Sequence, residues 1–128
     1  MVNIQSGANS PLVVLNTYTV PPENQDELIE LLNFAYVDVM KKMPGFISAC
    51  IHHGHDGTKV VNYAQWQDRA SFDEMLKNKK AQVYVQEASR LASKAEIGFY
   101  EVDEVHEKEV SAESKPSFDV EARDISAD

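Results

Sequence analysis

Phe46-Ile-Ser-Ala-Cys-Ile-His-His53, then Gly54-His-Asp-Gly57, then Thr58-Lys-Val-Val-Asn-Tyr-Ala-Gln-Trp66 reads as two β-strands joined by a turn. β-Branched and aromatic residues fill both flanks. Asp-Gly is the dipeptide that reverses a chain between such flanks, so the hairpin is antiparallel. Upstream, Pro11 to Val20 is a third extended stretch. Its period of two sets Leu12, Val14, Asn16, Tyr18 and Val20 on one face. Val13, Leu15, Thr17 and Thr19 fall on the other. Pro21-Pro22 breaks that strand and opens a helix, and Pro44-Gly45 closes it. Between them Leu28, Leu32, Ala35, Val39 and Met43 form one apolar stripe.

Downstream, Gln67 to about Ser93 is a second helical region, which Asn78-Lys79-Lys80 interrupts. Glu96 to about Val105 is the last strand, with Ile97 and Phe99 on one face and Gly98, Tyr100 and Val102 on the other. The order β-α-β-β-α-β is the ferredoxin-like α+β arrangement, a four-stranded antiparallel sheet with helices on one face. Both faces of these strands are apolar or aromatic, and the helices suffice for only one. A sheet so patterned is expected to form a homodimer through its uncovered face.

The chain has 128 residues, 43% hydrophobic and 26% charged, which fits one domain with a core of its own. We expect a domain over 11–105, a flexible arm over 1–10, and an acidic tail over 106–128, disordered or loosely docked. The net charge of −9 is uneven: residues 103–128 carry −6 and residues 1–102 only −3. This balance argues against nucleic acid, whose phosphates need a basic patch. No apolar run approaches the ~20 residues of a membrane span, and the first ten residues lack the pattern of a secretory signal. A single cysteine, Cys50, excludes an internal disulfide and fits a reducing, cytoplasmic setting. It reads as a structural thiol. Lys77, Lys79 and Lys80 read as a solvated basic face.

The chemistry gathers on the third strand. Asn62 and Trp66 lie four apart, on one strand face, with the small Ala64 between them. An amide and an indole N–H thus flank space for a flat ligand. The alternative is a core tryptophan and an asparagine that caps a backbone irregularity. Pro44-Gly45-Phe46, Ser48-Ala49, His52, Asp56-Gly57-Thr58 and Val60-Val61-Asn62-Tyr63-Ala64-Gln65-Trp66 together resemble the antibiotic biosynthesis monooxygenase superfamily. The nearest likeness is to the cofactor-independent anthrone oxygenases. The resemblance implies a dimeric α+β barrel with a ligand cavity between sheet and helices. It implies that Asn62 and Trp66 hold substrate oxygens and that His52 matches a family histidine, a candidate base for the phenolic proton. It also implies no metal, flavin or other cofactor, because the aromatic substrate supplies the electrons that reduce O2.

Two positions depart from that pattern. The family tyrosine six residues after this tryptophan is Phe72 here, and the arginine twenty after it is Gln86. With Asn16, Tyr36, Met75 and Tyr84, these two complete the expected substrate-binding set, Tyr84 standing as a possible substitute phenol. The place of His52 depends on register. A two-residue Asp56-Gly57 turn sets it opposite Asn62, and a three- or five-residue loop sets it beside Asn62. His52-His53-Gly54-His55 is not a tetrahedral metal site, since neighbours on a strand point opposite ways. Asn16-Thr17 is similar to a first-strand motif of the haem-degrading members. Their axial histidine and tryptophan fall near Met75 and Val85 here, so haem chemistry lacks its ligand.

Two functions of different class remain. One is a monooxygenase that converts a phenol, anthrone or quinol-like substrate to a quinone with O2. The other is a non-catalytic dimeric barrel that binds a small hydrophobic molecule.

Overall fold

The computed structural model describes residues 10–109. The expected arm up to residue 9 and the expected tail beyond residue 109 lie outside the described residues. Four strands, β1 (Leu12–Thr19), β2 (Phe46–His53), β3 (Lys59–Trp66) and β4 (Lys94–Glu101), form one antiparallel sheet in the order β2-β3-β1-β4. Three helices, α1 (Gln25–Asp38), α2 (Arg69–Leu76) and α3 (Lys79–Leu91), cover one face. This is the ferredoxin-like α+β fold.

The registers decide which side chains meet the helices. Val14 pairs with Ala64 and Phe99, and Asn16 pairs with Asn62 and Ile97. The even residues of β1 and β3 and the odd residues of β4 therefore share the helix side. Two clusters fill the layer between. Val14, Tyr36, Trp66, Phe72 and Met75 belong to one, and Tyr18, Leu28, Leu32, Val60 and Leu91 to the other.

The elements differ from the sequence expectation at three boundaries. α1 stops at Asp38 rather than running to Pro44, and Met40–Lys42 forms a separate 3-10 turn. That turn lets Met40 bury while Lys41 and Lys42 stay in water. The second helical region is interrupted as expected, but only at Lys77-Asn78, since Lys79 and Lys80 already belong to α3. Asn78 ends the path of α2 and caps α3, its side chain accepting from Ala81 N at 3.0 Å. β4 begins at Lys94 and ends at Glu101, four residues short of Val105.

The β2-β3 loop is also longer than the two-residue turn. Gly54 N donates to Lys59 O at 2.8 Å, which leaves His55–Thr58 as a four-residue loop. Asp56 organises it, accepting from Thr58 N at 2.9 Å and Thr58 Oγ1 at 2.8 Å, and Gly57 takes a φ of +84°. At the other end of β2 the register shifts between Phe46 and Ser48. This bulge returns Phe46 to the helix side, where its ring meets Trp66 edge-on at 5.2 Å.

Candidate active site

The floor of the site is a row across the sheet, Ile51-Asn62-Asn16-Ile97, given by strand pairing. Directly opposed residues hold their Cβ atoms about 5 Å apart, so the two asparagine amides are neighbours. The next row, Ala49-Ala64-Val14-Phe99, is small at its centre. Ala64 leaves open space between Asn62 and Trp66. Tyr36, Phe72, Met75 and Tyr84 come down from the helices to roof it. The result is a cavity of about 110 Å³, several times what one water needs.

Its walls are mostly apolar, with a few polar groups that converge, the usual make-up of a small-molecule site. Trp66 is 1% exposed, wedged between the edges of Phe46 and Phe72 at 5.2 and 6.1 Å. Phe72 in turn meets Phe99 edge-on at 5.3 Å. Tyr36 Oη donates to Asn62 Oδ1 at 2.8 Å. That bond orients the carboxamide and leaves Nδ2 as the end available to a ligand. Among the described residues, neither Asn62 Nδ2, the Trp66 indole N–H nor the Asn16 amide has a hydrogen-bond partner in the protein. Asn62 and Trp66 are buried and Asn16 half-buried; buried donors are normally paired, so the first two stand open for an acceptor.

The tyrosines of the cavity are not equivalent. Burial pushes the hydroxyls of Tyr18 and Tyr36 up from the ordinary tyrosine range, the Asn62 hydrogen bond offsetting part of the effect at Tyr36. Both are neutral donors at any physiological pH. Tyr84 instead donates to Asp38 Oδ2 at 3.1 Å, and Lys80 Nζ lies 3.4 Å from Asp38 Oδ1. The Tyr84 hydroxyl and the Lys80 and Lys42 charges hold the Asp38 carboxyl below the usual carboxylate range, and the same hydrogen bond pushes Tyr84 up.

Of the residues singled out in the sequence, Asn16, Tyr36, Asn62, Trp66, Phe72 and Met75 meet in this cavity, and Tyr84 joins them at its edge. His52 does not. It pairs with Val61, on the face opposite Asn62, and is exposed, with Nδ1 3.3 Å from Val61 O. The physical reason is parity: a four-residue loop sets the same faces as a two-residue one. Gln86 is also outside. It is exposed on α3, rotated away from the buried Ala81 and Ala88. Tyr18 is a liner that the sequence reading left unassigned, although its even position on β1 marks it.

The histidine run is split as a strand requires, with His52 and His53 on opposite faces and the rings of His53 and His55 6.5 Å apart. Among the described residues no group of three or more His, Cys, Asp or Glu stands close enough to hold a metal ion.

The family model for antibiotic biosynthesis monooxygenases matches residues 11–87. Tetracenomycin-F1 monooxygenase of Streptomyces glaucescens is 45% identical over 62 residues, 48% of this chain and 55% of that protein. The match thus spans about half the length of that relative. Among solved structures, the monooxygenase from the gene ActVA-Orf6 of Streptomyces coelicolor, in complex with nanaomycin D, is 27% identical with a TM-score of 0.68. That alignment covers 75% of this chain and 90% of the other. SnoaB, a cofactor-independent oxygenase from Streptomyces nogalater, is 18% identical with a TM-score of 0.65, over 73% of this chain and 94% of its own, a likeness of fold. With more than half of its length matched by the family model, the chain belongs to the antibiotic biosynthesis monooxygenase family.

Proposed function

We propose that the protein is a cofactor-independent monooxygenase that oxidises a phenol, anthrone or quinol-like aromatic substrate to a quinone. The observation that carries this reading is the set of unpartnered donors, Asn62 Nδ2 and the Trp66 indole N–H, on the border of one apolar cavity. A ligand that presents oxygen acceptors on a flat ring fits both the donors and the aromatic walls. Ionising such a substrate places negative charge on its oxygen. Fixed donors in a dry site stabilise that charge, because they need no reorganisation when it forms.

The chemistry balances without an outside reductant. The bound anion passes one electron to O2, and the radical pair recombines as a carbon-bound peroxide. For an anthrone methylene, loss of water then leaves a carbonyl. One oxygen atom of O2 enters the product and the other leaves as water, so the substrate carbon supplies all four electrons. Asn62 and Trp66 serve the anion, with Asn16 beside them on the floor. Phe72, Met75 and Tyr36 shape the roof. The working form is a homodimer paired through the sheet face that the helices leave open. No helix among the described residues is long and apolar enough to cross a membrane.

One observation favours a second reading, a barrel that binds without turnover. Phe72 offers no phenol, and Gln86 is exposed outside the cavity. Oxygen uptake by the purified protein with an anthrone, under air and under nitrogen, separates the two. Enzyme-dependent uptake with quinone formation supports the monooxygenase. Quenching of Trp66 fluorescence with no uptake supports the binder. Within the first reading, Asn62→Ala lowers turnover on the order of 100-fold, the usual cost of one oxyanion donor. Trp66→Phe keeps the packing and removes the donor, with a loss of similar order. Both variants at the wild-type rate would overturn the assignment.

A further inference from the structure

Resting on the monooxygenase reading above, we propose that Tyr84 and Asp38 form a two-residue relay that carries the substrate proton from the cavity to solvent. The need for such a path follows from the site. Ionisation inside an apolar cavity is productive only if the proton leaves. Among the described residues, neither a carboxylate nor an imidazole lines the cavity. His52, the residue the sequence offered as base, faces away on the other side of the sheet. Among the described residues, the phenol-bearing side chains that line it are Tyr18, Tyr36 and Tyr84.

Two of these three are unsuited. Tyr36 spends its proton on Asn62 Oδ1 at 2.8 Å and is 8% exposed. Tyr18 is equally buried and has no hydrogen-bond partner among the described residues. A proton taken by either has no onward acceptor. Tyr84 differs in position and in partner. It borders the cavity, is half-buried, and donates to Asp38 Oδ2 at 3.1 Å. Asp38, the last residue of α1, keeps 35% of its side-chain surface in water. The chain from cavity to bulk solvent is therefore two residues long.

The step is a concerted double transfer. The substrate O–H bond, which for an anthrone is that of its enol tautomer, breaks and its proton joins Tyr84 Oη, while the Tyr84 O–H bond breaks and its proton joins Asp38 Oδ2. The electron pair of the broken bond stays on the substrate oxygen. Tyr84 is neutral before and after, and Asp38 passes the proton to water. The groups that face Asp38 are the Tyr84 hydroxyl and Lys80 from α3, and Lys42 from the turn after α1. All of them favour the ionised carboxylate. Asp38 is thus charged and ready at neutral pH, and it releases an acquired proton readily. Tyr84 is the residue that touches substrate, and Asp38 acts through it.

Two substitutions separate relay from mere positioning. Asp38→Asn keeps an oxygen to accept the Tyr84 hydrogen bond but cannot take the proton. Tyr84→Phe keeps the ring and removes the hydroxyl. With an anthrone as substrate, both should lower kcat on the order of 100-fold at pH 7, within the range for general-base catalysis, with KM little changed. The defect should shrink as pH rises toward the pKa of the substrate's own hydroxyl, because an ionised substrate needs no relay. Asp38 is at the surface and Tyr84→Phe is conservative, so melting temperatures should stay close to wild type. Wild-type kcat in Asp38→Asn overturns the relay, whether or not Tyr84→Phe is impaired. So does a defect of the same size at every pH. Absence of oxygen uptake by the wild-type protein overturns the monooxygenase reading and the relay with it, an outcome distinct from the first two.

Discussion

Two carboxamides three residues apart on β3 show how the site is set apart from the rest of the sheet. Gln65 is fully buried on the side away from the helices, and both its ends are paired, with Ser48 Oγ and Tyr63 Oη at 3.3 Å each. Asn62, on the helix side, is paired at one end only, by Tyr36. Tyr36→Phe removes that bond and strands a buried acceptor. Stability should fall by about 1–3 kcal/mol in denaturant titrations. Turnover should fall by roughly tenfold or more, because the amide loses its fixed orientation. The pH dependence has a definite sign. Tyr18 and Tyr36 are raised by burial, so their contribution to stability is complete below the unfolded tyrosine pKa of about 10 and is lost as pH rises above it. Melting followed together with tyrosinate absorbance checks this: alkaline unfolding should coincide with ionisation. At this scale the period of two already placed Asn62, Ala64 and Trp66 on one face. It could not place Tyr36 over Asn62, since that needs the phase of a helix against a sheet. His52 failed for a related reason, as the length of its loop alone fixes its face.

At the scale of elements, the punctuation was legible and the stopping points were less so. Asp68 caps α2, accepting from Ser71 N at 2.8 Å, and Asn78 caps α3. The break at Lys77-Asn78 lets α2 present Phe72 and Met75 to the cavity while α3 starts afresh and presents Tyr84. Asn78→Ala should cost about 1 kcal/mol by thermal or chemical melting, the usual price of a lost cap. The cap at Asp68 titrates. Hydrogen bonds from Ser71 hold its carboxyl below the ordinary range, so its contribution is present above about pH 4 and fades as pH falls below that. Gly45 ties these pieces together. Its φ is +90°, its carbonyl accepts from Gln67 N at 2.7 Å, and a Cβ there would collide with the Ser71 side chain. Gly45→Ala should destabilise by about 1–3 kcal/mol, the range for left-handed strain at a non-glycine residue. The early end of α1 had no sequence mark of this strength. The stripe through Val39 and Met43 continues the helical period, yet Val39 and Met40 bury through a 3-10 turn instead.

For the whole molecule, the asymmetry of the sheet carries the argument. One face is sealed by three helices. The other offers Leu15, Val61 and Tyr63 half-buried at its centre, with Tyr100 52% exposed beside them. No helix among the described residues packs there. The sequence showed this imbalance directly, as apolar residues on both faces of β1 and β3. The proposed homodimer would cover the patch with its own copy, and a stable pair buries more than about 1,200 Å² in total. Sedimentation or light scattering at micromolar concentration should report twice the chain mass. Leu15→Asp tests the face itself. Leu15 lies on central β1, opposite in direction from Val14 and Asn16, so its replacement leaves the cavity floor in place. Burying an unpaired carboxylate in the interface is costly, and the variant should be monomeric. The melting temperature of the wild type should rise with protein concentration and that of the variant should not, because association stabilises only the form that can pair. A wild-type monomer whose melting ignores concentration would leave the apolar face without a dimer to explain it.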